Sequence, residues 1–363
     1  MGNRIVVPFG PPQHPVLPEP IHLDLVLEDE RVVEAVPTIG YVHRGLEKLV
    51  EKRDFQDYVF IAERICGICS FTHSVTYCNA IEHIMGIEVP PRAQFIRTIW
   101  MEYSRMHSHL LWLGLAADAM GFENLFMNAW RLREEILDDM EATTGGRVIQ
   151  GSCKVGGIRR DIGDEKLGEM VDHLKKIRPL LEESNRIFTH DQTVRHRMRG
   201  GLGTLTKEEA WDLGAVGPTA RGSGCDMDVR SSGYSAYGGT RVQTGHPPPH
   251  GGLSGSLPRP LGRGARSSRP RRTCGGKDAR RPCRRKGEGQ SGWRVLCLLR
   301  TAPPWRVHAL HKGQRQEEHR PPPVRTPTLT NIPPLVKMLA GIDLADVPVV
   351  VLTIDPCIGC AER

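Results

Sequence analysis

Two cysteine motifs stand far apart in the chain, and they read RICGICSFTH at residues 64–73 and DPCIGCAER at residues 355–363. In each motif two residues separate the cysteines, a spacing that lets both sulfur atoms turn towards one ion. Four thiolates suit a soft or borderline metal, which leaves zinc, nickel and an iron–sulfur cluster open. The two motifs therefore predict a single metal site that the fold assembles from distant parts of the chain.

A structural zinc site is the simplest interpretation of two such pairs, but their surroundings argue against it. Zinc ribbons lie in short loops, whereas most of the chain separates these pairs and long apolar helices border them. His73 follows Cys69 closely enough to donate a hydrogen bond to its sulfur. Arg64 and Arg325 stand close to the motifs, and their charge would suit anionic ligands.

Outward from the motifs, the hydrophobic pattern is mostly helical. It predicts helices over 44–61, Arg97–Met120, Asn124–Thr143, Asp164–Phe188, Lys207–Leu213 and Pro327–Leu339. Alternating apolar residues predict strands over Ile21–Glu28 and Arg31–Val36, and the apolar run Val347–Ile354 predicts a buried strand. The expected fold is mainly α within the α+β class, with a central helical bundle and a small peripheral β-sheet.

The net charge of +7 is concentrated in one segment of the chain. Residues 231–323 carry 16 Arg and 3 Lys against 4 acidic residues, a net charge of +15, which leaves −8 for the other 270 residues. The same segment is rich in Gly and Pro and shows no helical or strand period. Its composition fits a basic linker, a nucleic-acid-binding arm or a stretch translated in the wrong frame, and composition alone favours the linker.

Together with several shorter motifs, the cysteine pairs resemble the large subunit of [NiFe] hydrogenases. The ending at Arg363, rather than His, is similar to the energy-converting, Ech-like branch (group 4), which is related to the 49 kDa subunit of respiratory complex I. The shorter motifs that fit this branch include GPPQHP at 10–15, HRGLE at 43–47, SHLLWLG at 108–114, GGIRRD at 156–161, GPTARGSG at 217–224 and VRTPT at 324–328. The resemblance covers residues 1–230 and 324–363, which it implies form one hydrogenase large-subunit domain.

The resemblance implies that all four cysteines bind nickel and that two of them also bridge to iron. The nickel ligands would be Cys66, Cys69, Cys357 and Cys360, with Cys69 and Cys360 shared with an iron that carries two cyanides and one carbon monoxide. Thiolates are soft donors that stabilise nickel in several oxidation states. Cys78, Cys153 and Cys225 have no partner at ligand spacing and are expected to be buried thiols.

The resemblance also assigns roles to residues outside the cysteine pairs. Glu19 would relay protons beside a terminal cysteine, and Glu47 would bind Mg²⁺ or a similar ion. Arg325 and Thr328 would hydrogen-bond the cyanides of the iron, and Arg64 and His73 would support the cysteines. Without the resemblance, Glu19 is an exposed loop acid, Glu47 a solvated helix charge, and 325–328 an ordinary helix N-terminus.

The implied function is H₂ evolution or oxidation in a membrane-associated complex. No iron–sulfur cluster is expected in this chain, so a small subunit with a [4Fe–4S] cluster would carry the electrons, with ferredoxin as their source. Other iron–sulfur and integral-membrane subunits and maturation proteins would be further partners, and nucleic acid would not. No apolar run is long enough to span a membrane, so the chain is expected in the cytoplasm, held at the inner face of the plasma membrane by its partners.

Two other functions stay open at this stage. One is a subunit of a complex-I-like NADH/quinone oxidoreductase, which shares the fold but normally lacks these cysteines. The other is an inactive product, because residues 231–323 replace the acidic, helical sequence of the family at similar length. We therefore favour a frame-shifted segment over a natural insertion.

Overall fold

The computed structural model describes residues 4–11, 21–198, 201–239 and 324–363. The strands within these ranges are β1 (Arg4–Phe9), β2 (His22–Glu28), β3 (Arg31–Thr38), β4 (Cys153–Lys154) and β5 (Gly157–Ile158). The helices before residue 200 are α1 (Leu46–Leu49), α2 (Tyr58–Glu63), α3 (Ser70–Met85), α4 (Pro91–Ala119), α5 (Glu123–Thr144), α6 (Asp164–His190) and α7 (Gln192–Met198). They are followed by α8 (Lys207–Asp212), α9 (Gly217–Gly222), α10 (Pro327–Leu339), α11 (Val347–Leu352) and α12 (Ile358–Glu362).

The N-terminal strands form an antiparallel sheet in the order β1–β2–β3. Leu23, Leu25 and Leu27 alternate along β2 and are at most 2% exposed, so one face of the sheet is buried. The two residues of the β2–β3 turn, Asp29 and Glu30, have φ angles of 51° and 67°, as a tight hairpin turn requires. The two strands predicted over Ile21–Glu28 and Arg31–Val36 are confirmed as β2 and β3.

Helices α3 to α6 form the centre of the molecule around one apolar core. Trp100 of α4 is fully buried, packs edge-on against Phe71 of α3 and donates a hydrogen bond to Thr143 of α5 at 3.1 Å. The three long helices predicted in this region are confirmed, although α4 begins earlier than predicted, at Pro91. Proline suits the first helical turn because that turn needs no N–H donor from it.

A second core joins the N-terminal sheet to the helices that follow residue 323. Leu23 and Leu25 of β2 share it with Leu335 and Leu339 of α10 and with Val350 of α11. A backbone hydrogen bond of 2.9 Å from Val32 to Ile342 extends the contact along β3. Segments distant in sequence therefore fold as one unit, which brings the second cysteine motif back to the first.

Two local predictions were wrong. The run Val347–Leu352, predicted as a strand, is helix α11. It is buried on every side, from 0% exposure at Val347 to 3% at Leu352, so its apolar pattern has no period that separates a strand from a helix. The helix predicted over 44–61 is two helices with a break at Arg53, whose backbone is extended.

The described residues extend into the start of the basic segment predicted from residue 231. Residues 229–239 contain two short 3₁₀ helices, Val229–Ser232 and Ser235–Gly239, the second of which packs on α4. There the N–H of Ala236 donates to Thr98 Oγ1 at 3.3 Å, and the Tyr237 hydroxyl donates to the Glu102 carboxylate. The rest of the predicted segment, residues 240–323, lies outside the described residues.

Among the helices in the described ranges, we find none with the length and apolar character needed to cross a membrane.

Candidate metal centre

The two cysteine loops each lie at the start of a helix. Cys66 follows α2 and Cys69 directly precedes α3, while Cys357 directly precedes α12 and Cys360 lies within it. Each loop has the same internal contact: Cys66 Sγ accepts from the N–H of Cys69 at 3.3 Å, and Cys357 Sγ accepts from the N–H of Cys360 at 3.4 Å. These bonds turn both sulfur atoms of a pair to the same side.

The structure brings the two pairs face to face. The sulfur atoms of Cys66 and Cys357 are 3.3 Å apart, and those of Cys69 and Cys360 are 3.5 Å apart. The sulfur atoms of Cys66, Cys69 and Cys360 all lie within 4.8 Å of one another. Cys66, Cys357 and Cys360 are at most 9% exposed. This is a compact, water-poor set of four soft donors, and it fits a thiolate-ligated metal centre.

The thiols compete for ionisation. Hydrogen bonds from Cys357, Cys360 and Cys69 lower the pKa of Cys66, which therefore ionises first. Contacts with Cys357 and Cys66 raise the pKa of Cys360, and burial raises it further. The contact with Cys360 favours the Cys69 thiolate, but Cys66 and burial outweigh it and raise the pKa of Cys69. A bound cation would offset this repulsion and let all four sulfur atoms ligate as thiolates.

His73 lies at the centre but contacts a different sulfur from the one predicted. Its Nε2 is 3.5 Å from Cys360 Sγ, whereas the sequence predicted a bond to Cys69. The turn of α3 that follows Cys69 carries the ring across to the opposite loop. Burial lowers the pKa of His73, so the ring is neutral at neutral pH and can donate its Nε2–H to the sulfur.

Thr328 and Thr326 hold the second cysteine loop from the start of α10. Thr328 is buried and its Oγ1 accepts from the N–H of Cys357 at 3.2 Å, while Thr326 Oγ1 donates to the carbonyl of Cys360 at 2.8 Å. Arg325 directly precedes Thr326, and its exposed side chain donates to Thr330 Oγ1 at 3.3 Å. The exposed side chain of Arg64 donates to the carbonyl of Phe60, in helix α2, at 2.8 Å.

Glu47 contacts a guanidinium and a backbone N–H. Its Oε1 accepts from Arg363 Nε at 2.8 Å and from the N–H of Val324 at 2.7 Å. Mg²⁺ needs about six oxygen ligands, yet within the described ranges Glu47 belongs to no group of three or more metal-ligating side chains. These surroundings do not fit Mg²⁺, because an internal cation already neutralises the carboxylate. Glu19, the predicted proton relay, lies outside the described residues.

Sequence reasoning missed two residues that hold the first cysteine loop. His107 of α4 is fully buried; its Nε2 donates to the carbonyl of Ile68 at 2.9 Å, and its Nδ1 accepts from Arg133 at 3.3 Å. Burial and then Arg133 lower the pKa of His107 to about 4, which keeps the ring neutral. Arg44 donates to the carbonyls of Arg64 and Ile65, each at 2.9 Å. Its place in the HRGLE motif was the available signal.

Comparison with known proteins agrees with this geometry. Residues 44–117 match the family described as nickel-dependent hydrogenase, and residues 119–244 match the 49 kDa subunit of respiratory-chain NADH dehydrogenase. The chain is 34% identical to the membrane-bound hydrogenase subunit alpha of Pyrococcus furiosus, over 99% of this chain and 87% of that protein. The chain belongs to the hydrogenase large-subunit family related to complex I. Its relatives support the energy-converting branch, group 4.

Two further likenesses extend across nearly the whole chain. The carbon monoxide-induced hydrogenase of Rhodospirillum rubrum is 32% identical over 99% of this chain and 100% of its own length. The membrane-bound sulfane sulfur reductase, an archaeal respiratory membrane complex, contains a chain with a TM-score of 0.74 at 22% identity, covering 99% of each chain. At that identity the second likeness concerns the fold, and it confirms the mainly helical architecture of this hydrogenase-family chain.

Proposed function

We propose that this chain is the catalytic large subunit of a membrane-associated [NiFe] hydrogenase that evolves or oxidises H₂. The observation that carries the proposal is the pairing of the two loops, with Cys66 opposite Cys357 and Cys69 opposite Cys360 at 3.3 and 3.5 Å. A zinc site needs only four thiolates around one ion. Two opposed pairs additionally allow the second cysteine of each pair to bridge to a second metal.

The residues of this chain would position the centre and move its protons. When bound, the nickel–iron group with its cyanide and carbon monoxide ligands supplies the exchange of H₂ with two protons and two electrons. Cys66 and Cys357 would hold nickel alone, and Cys69 and Cys360 would hold both metals. The neutral ring of His73 would donate to the bridging Cys360 sulfur and reduce its negative charge.

Proton transfer and recognition of the iron's ligands are assigned to Glu19, Arg325 and Thr328. Glu19 would carry the proton, because a carboxyl group in a dry site can have a pKa near neutrality. Arg325 and Thr328 would donate hydrogen bonds to the cyanides. Thr328 is already at the loop, hydrogen-bonded to Cys357, whereas the exposed Arg325 would need to turn its side chain inwards.

Electrons and membrane attachment would come from partner subunits. In the part of the chain that the structure describes, the cysteine centre is the one group of three or more potential metal ligands. A small subunit with a [4Fe–4S] cluster would therefore connect the centre to ferredoxin, and integral-membrane subunits would hold the chain at the cytoplasmic face. The relatives and the structural neighbour come from membrane complexes, which supports this arrangement.

Isotope exchange tests the proposal without an electron partner. The purified complex incubated under H₂ in D₂O should form HD and D₂, and Cys360→Ser should abolish the exchange because it removes a shared ligand. Cys225→Ser, which changes a buried thiol outside the centre, should retain it. Exchange that survives in Cys360→Ser would contradict the proposal.

A second candidate is a quinone-reducing subunit of a complex-I-like enzyme, favoured by the match of residues 119–244 to the 49 kDa subunit. It predicts quinone reduction by the complex and no H₂/D₂O exchange. Both activities can be measured on the same preparation. Exchange without quinone reduction supports the hydrogenase, and quinone reduction without exchange supports the second candidate. The four opposed cysteines favour the hydrogenase.

We also propose that the basic segment is a frame-shifted replacement for natural sequence. Alignment with the Rhodospirillum rubrum relative covers the whole of that protein and 99% of this chain, which supports replacement at similar length. Reading the encoding DNA of residues 231–323 in the other two frames should give an acidic, helical segment. If neither frame does, the segment is a genuine part of the protein. If the cell makes the shifted form, the chain would be inactive.

A further inference from the structure

The two cysteine loops must be held together by something other than their sulfur atoms. The paired cysteines lie 291 residues apart in the sequence, and no helix or strand contains both loops. The distance between the two loops before a metal binds therefore depends on hydrogen bonds to their backbones.

Arg44 makes contacts of this kind with both loops. Its Nη1 donates to the carbonyl of Arg64 at 2.9 Å, and its Nη2 donates to the carbonyl of Ile65 at 2.9 Å and to that of Gly359 at 3.3 Å. A guanidinium presents five donors in a rigid plane, so one side chain can satisfy carbonyls that approach from different directions. The Arg44 side chain thus bridges the residues just before Cys66 to the residue between Cys357 and Cys360.

The backbone on each side of Arg44 adds to this bridge. The N–H of Arg44 donates to the carbonyl of Arg363 at 3.2 Å, and His43 Nδ1 is 2.7 Å from the carbonyl of Glu362. Glu47, one turn further on, forms its ion pair with Arg363. The short segment 43–47 therefore fixes the end of α12, and Arg44 alone reaches across to the first loop.

Gly359 allows the two loops to approach this closely. A β-carbon at Gly359 would lie 2.7 Å from the carbonyl oxygen of Ile65 and 3.5 Å from Arg44 Nη2. The first distance is shorter than real β-carbon contacts, so any larger residue would push the loops apart. Arg44 and Gly359 thus both set the distance between the two cysteine loops. Arg44 hydrogen-bonds both loops, and Gly359 has no β-carbon to keep them apart.

We propose that Arg44 is a positioning residue that sets the distance between the two cysteine loops, and hence between their sulfur atoms, before a metal is bound. It acts through the carbonyls of Arg64, Ile65 and Gly359. Its importance for catalysis rests on the proposed hydrogenase function, whereas the positioning itself does not.

Disulfide trapping of the metal-free full chain measures the loop separation directly. Diamide takes two electrons and two protons from a pair of thiols, so it converts neighbouring cysteines to a disulfide and is itself reduced to the hydrazine. Peptide mapping then gives the ratio of disulfides between the loops (Cys66–Cys357 and Cys69–Cys360) to those within a loop (Cys66–Cys69 and Cys357–Cys360). The within-loop bonds act as an internal reference, because they need no contact between the loops.

Arg44→Ala should lower this ratio about tenfold, the change expected from losing a charged hydrogen-bond donor. Arg44→Lys should restore only part of it, because an ammonium lacks the planar fork. Arg64→Ala is the matched control, since the side chain of that arginine donates to Phe60 in α2, and the substitution keeps the Arg64 carbonyl that Arg44 contacts. The proposal is overturned if Arg44→Ala keeps the wild-type ratio, or if Arg64→Ala lowers it equally.

Gly359→Ala tests the same separation with Arg44 intact, in case Arg44→Ala does not fold. It should also lower the ratio between the two classes of disulfide, and a wild-type ratio would overturn the proposal. The nickel content of the wild-type complex separates this inference from the proposed function. If Arg44→Ala lowers the disulfide ratio but the wild-type complex binds no nickel, the positioning role stands and the hydrogenase function is removed.

Discussion

At the scale of single residues, the centre depends on neutral side chains that fix backbone carbonyls. His107 is the clearest case, because its Nε2–H holds the carbonyl of Ile68, midway between Cys66 and Cys69. A protonated ring would need a second acceptor at Nδ1, where Arg133 is the neighbour. The geometry of the first cysteine loop therefore requires a neutral histidine.

This requirement predicts a specific pH dependence of stability. The pKa of His107 is about 4 in the folded chain and about 6.5 when unfolded, so between these values the unfolded chain binds the extra proton. The histidine's contribution is fully present above pH 6.5 and is lost as the pH falls towards 4, a change of roughly 3 kcal/mol.

Urea unfolding at several pH values measures the effect, with wild type and His107→Gln compared. Between pH 6.5 and 4, the free energy of unfolding should fall less steeply in the glutamine variant than in the wild type. Burial also shifts the pKa values of His109 and Glu63, and their effects on stability are present in both proteins. Identical slopes would show that His107 does not resist protonation.

Sequence reasoning identified the four cysteines that meet at the candidate centre, but not the residues that hold their loops. Cys66, Cys69, Cys357 and Cys360 were predictable because a spacing of two residues has a direct chemical meaning. Arg44 and His107 were not, because each acts through a carbonyl of a residue distant in sequence. A carbonyl has no sequence signature, since every residue carries one. The surroundings of Glu47 are also not readable from the sequence. The resemblance implied a metal ion beside this carboxylate, whereas in the structure the Arg363 guanidinium contacts it.

At the scale of secondary structure, a buried ion pair fastens the β4–β5 hairpin to the helical bundle. Arg97 of α4 and Glu82 of α3 are 1% and 5% exposed and share two hydrogen bonds, at 2.6 and 3.0 Å. Arg97 also donates to the carbonyl of Gly157, and Glu82 accepts from the N–H of Gly156 at 2.7 Å. One buried ion pair therefore holds both Gly156, in the turn of the hairpin, and Gly157, at the start of β5.

Arg97→Met should lower the free energy of unfolding by about 3–5 kcal/mol, because it leaves Glu82 charged and buried without its partner. Arg92→Met, on the same helix, is the matched control. Its ion pair with Asp161 is more than half exposed on both sides, so its loss should cost far less than the loss of Arg97. Equal losses in the two variants, measured by urea unfolding, would refute this account of the hairpin.

Helices α4 and α5 meet closely at Gly114. A β-carbon there would lie 2.5 Å from a ring carbon of Trp130, so Gly114→Ala should destabilise the chain by about 1–3 kcal/mol. Gly168 in α6 is exposed, and a β-carbon there would meet nothing within 4 Å. Gly168→Ala should instead stabilise the chain by up to about 1 kcal/mol. Thermal unfolding of both variants measures the contrast, and the same sign for both would contradict it.

The helices were more predictable than the short apolar segments. Asp164–His190 and Pro91–Ala119 are long enough for a 3.6-residue period to be unmistakable. Val347–Leu352 is short and wholly buried, and its valine-rich composition indicates a strand while its packing makes it helical. One of its contacts is visible only in the structure: Trp112 Nε1 donates to the carbonyl of Leu352 at 2.7 Å.

At the scale of the whole molecule, the chain divides into a hydrogenase-like part and a basic segment of different character. The packed 3₁₀ helix Ser235–Gly239 lies at the start of the segment predicted from residue 231. The match to the 49 kDa subunit extends to residue 244, close to the end of that helix. The net charge of +15 between 231 and 323 therefore says nothing about the centre, which lies in the acidic remainder.

The nickel, zinc and iron content of the purified complex tests the central claim most directly. We predict about one nickel per chain and no stoichiometric zinc in the wild type, because the proposed hydrogenase centre holds one nickel between the two cysteine pairs. Cys360→Ser should lose the nickel, and Cys225→Ser should retain it. Stoichiometric zinc in place of nickel, or nickel that survives in Cys360→Ser, would contradict the account.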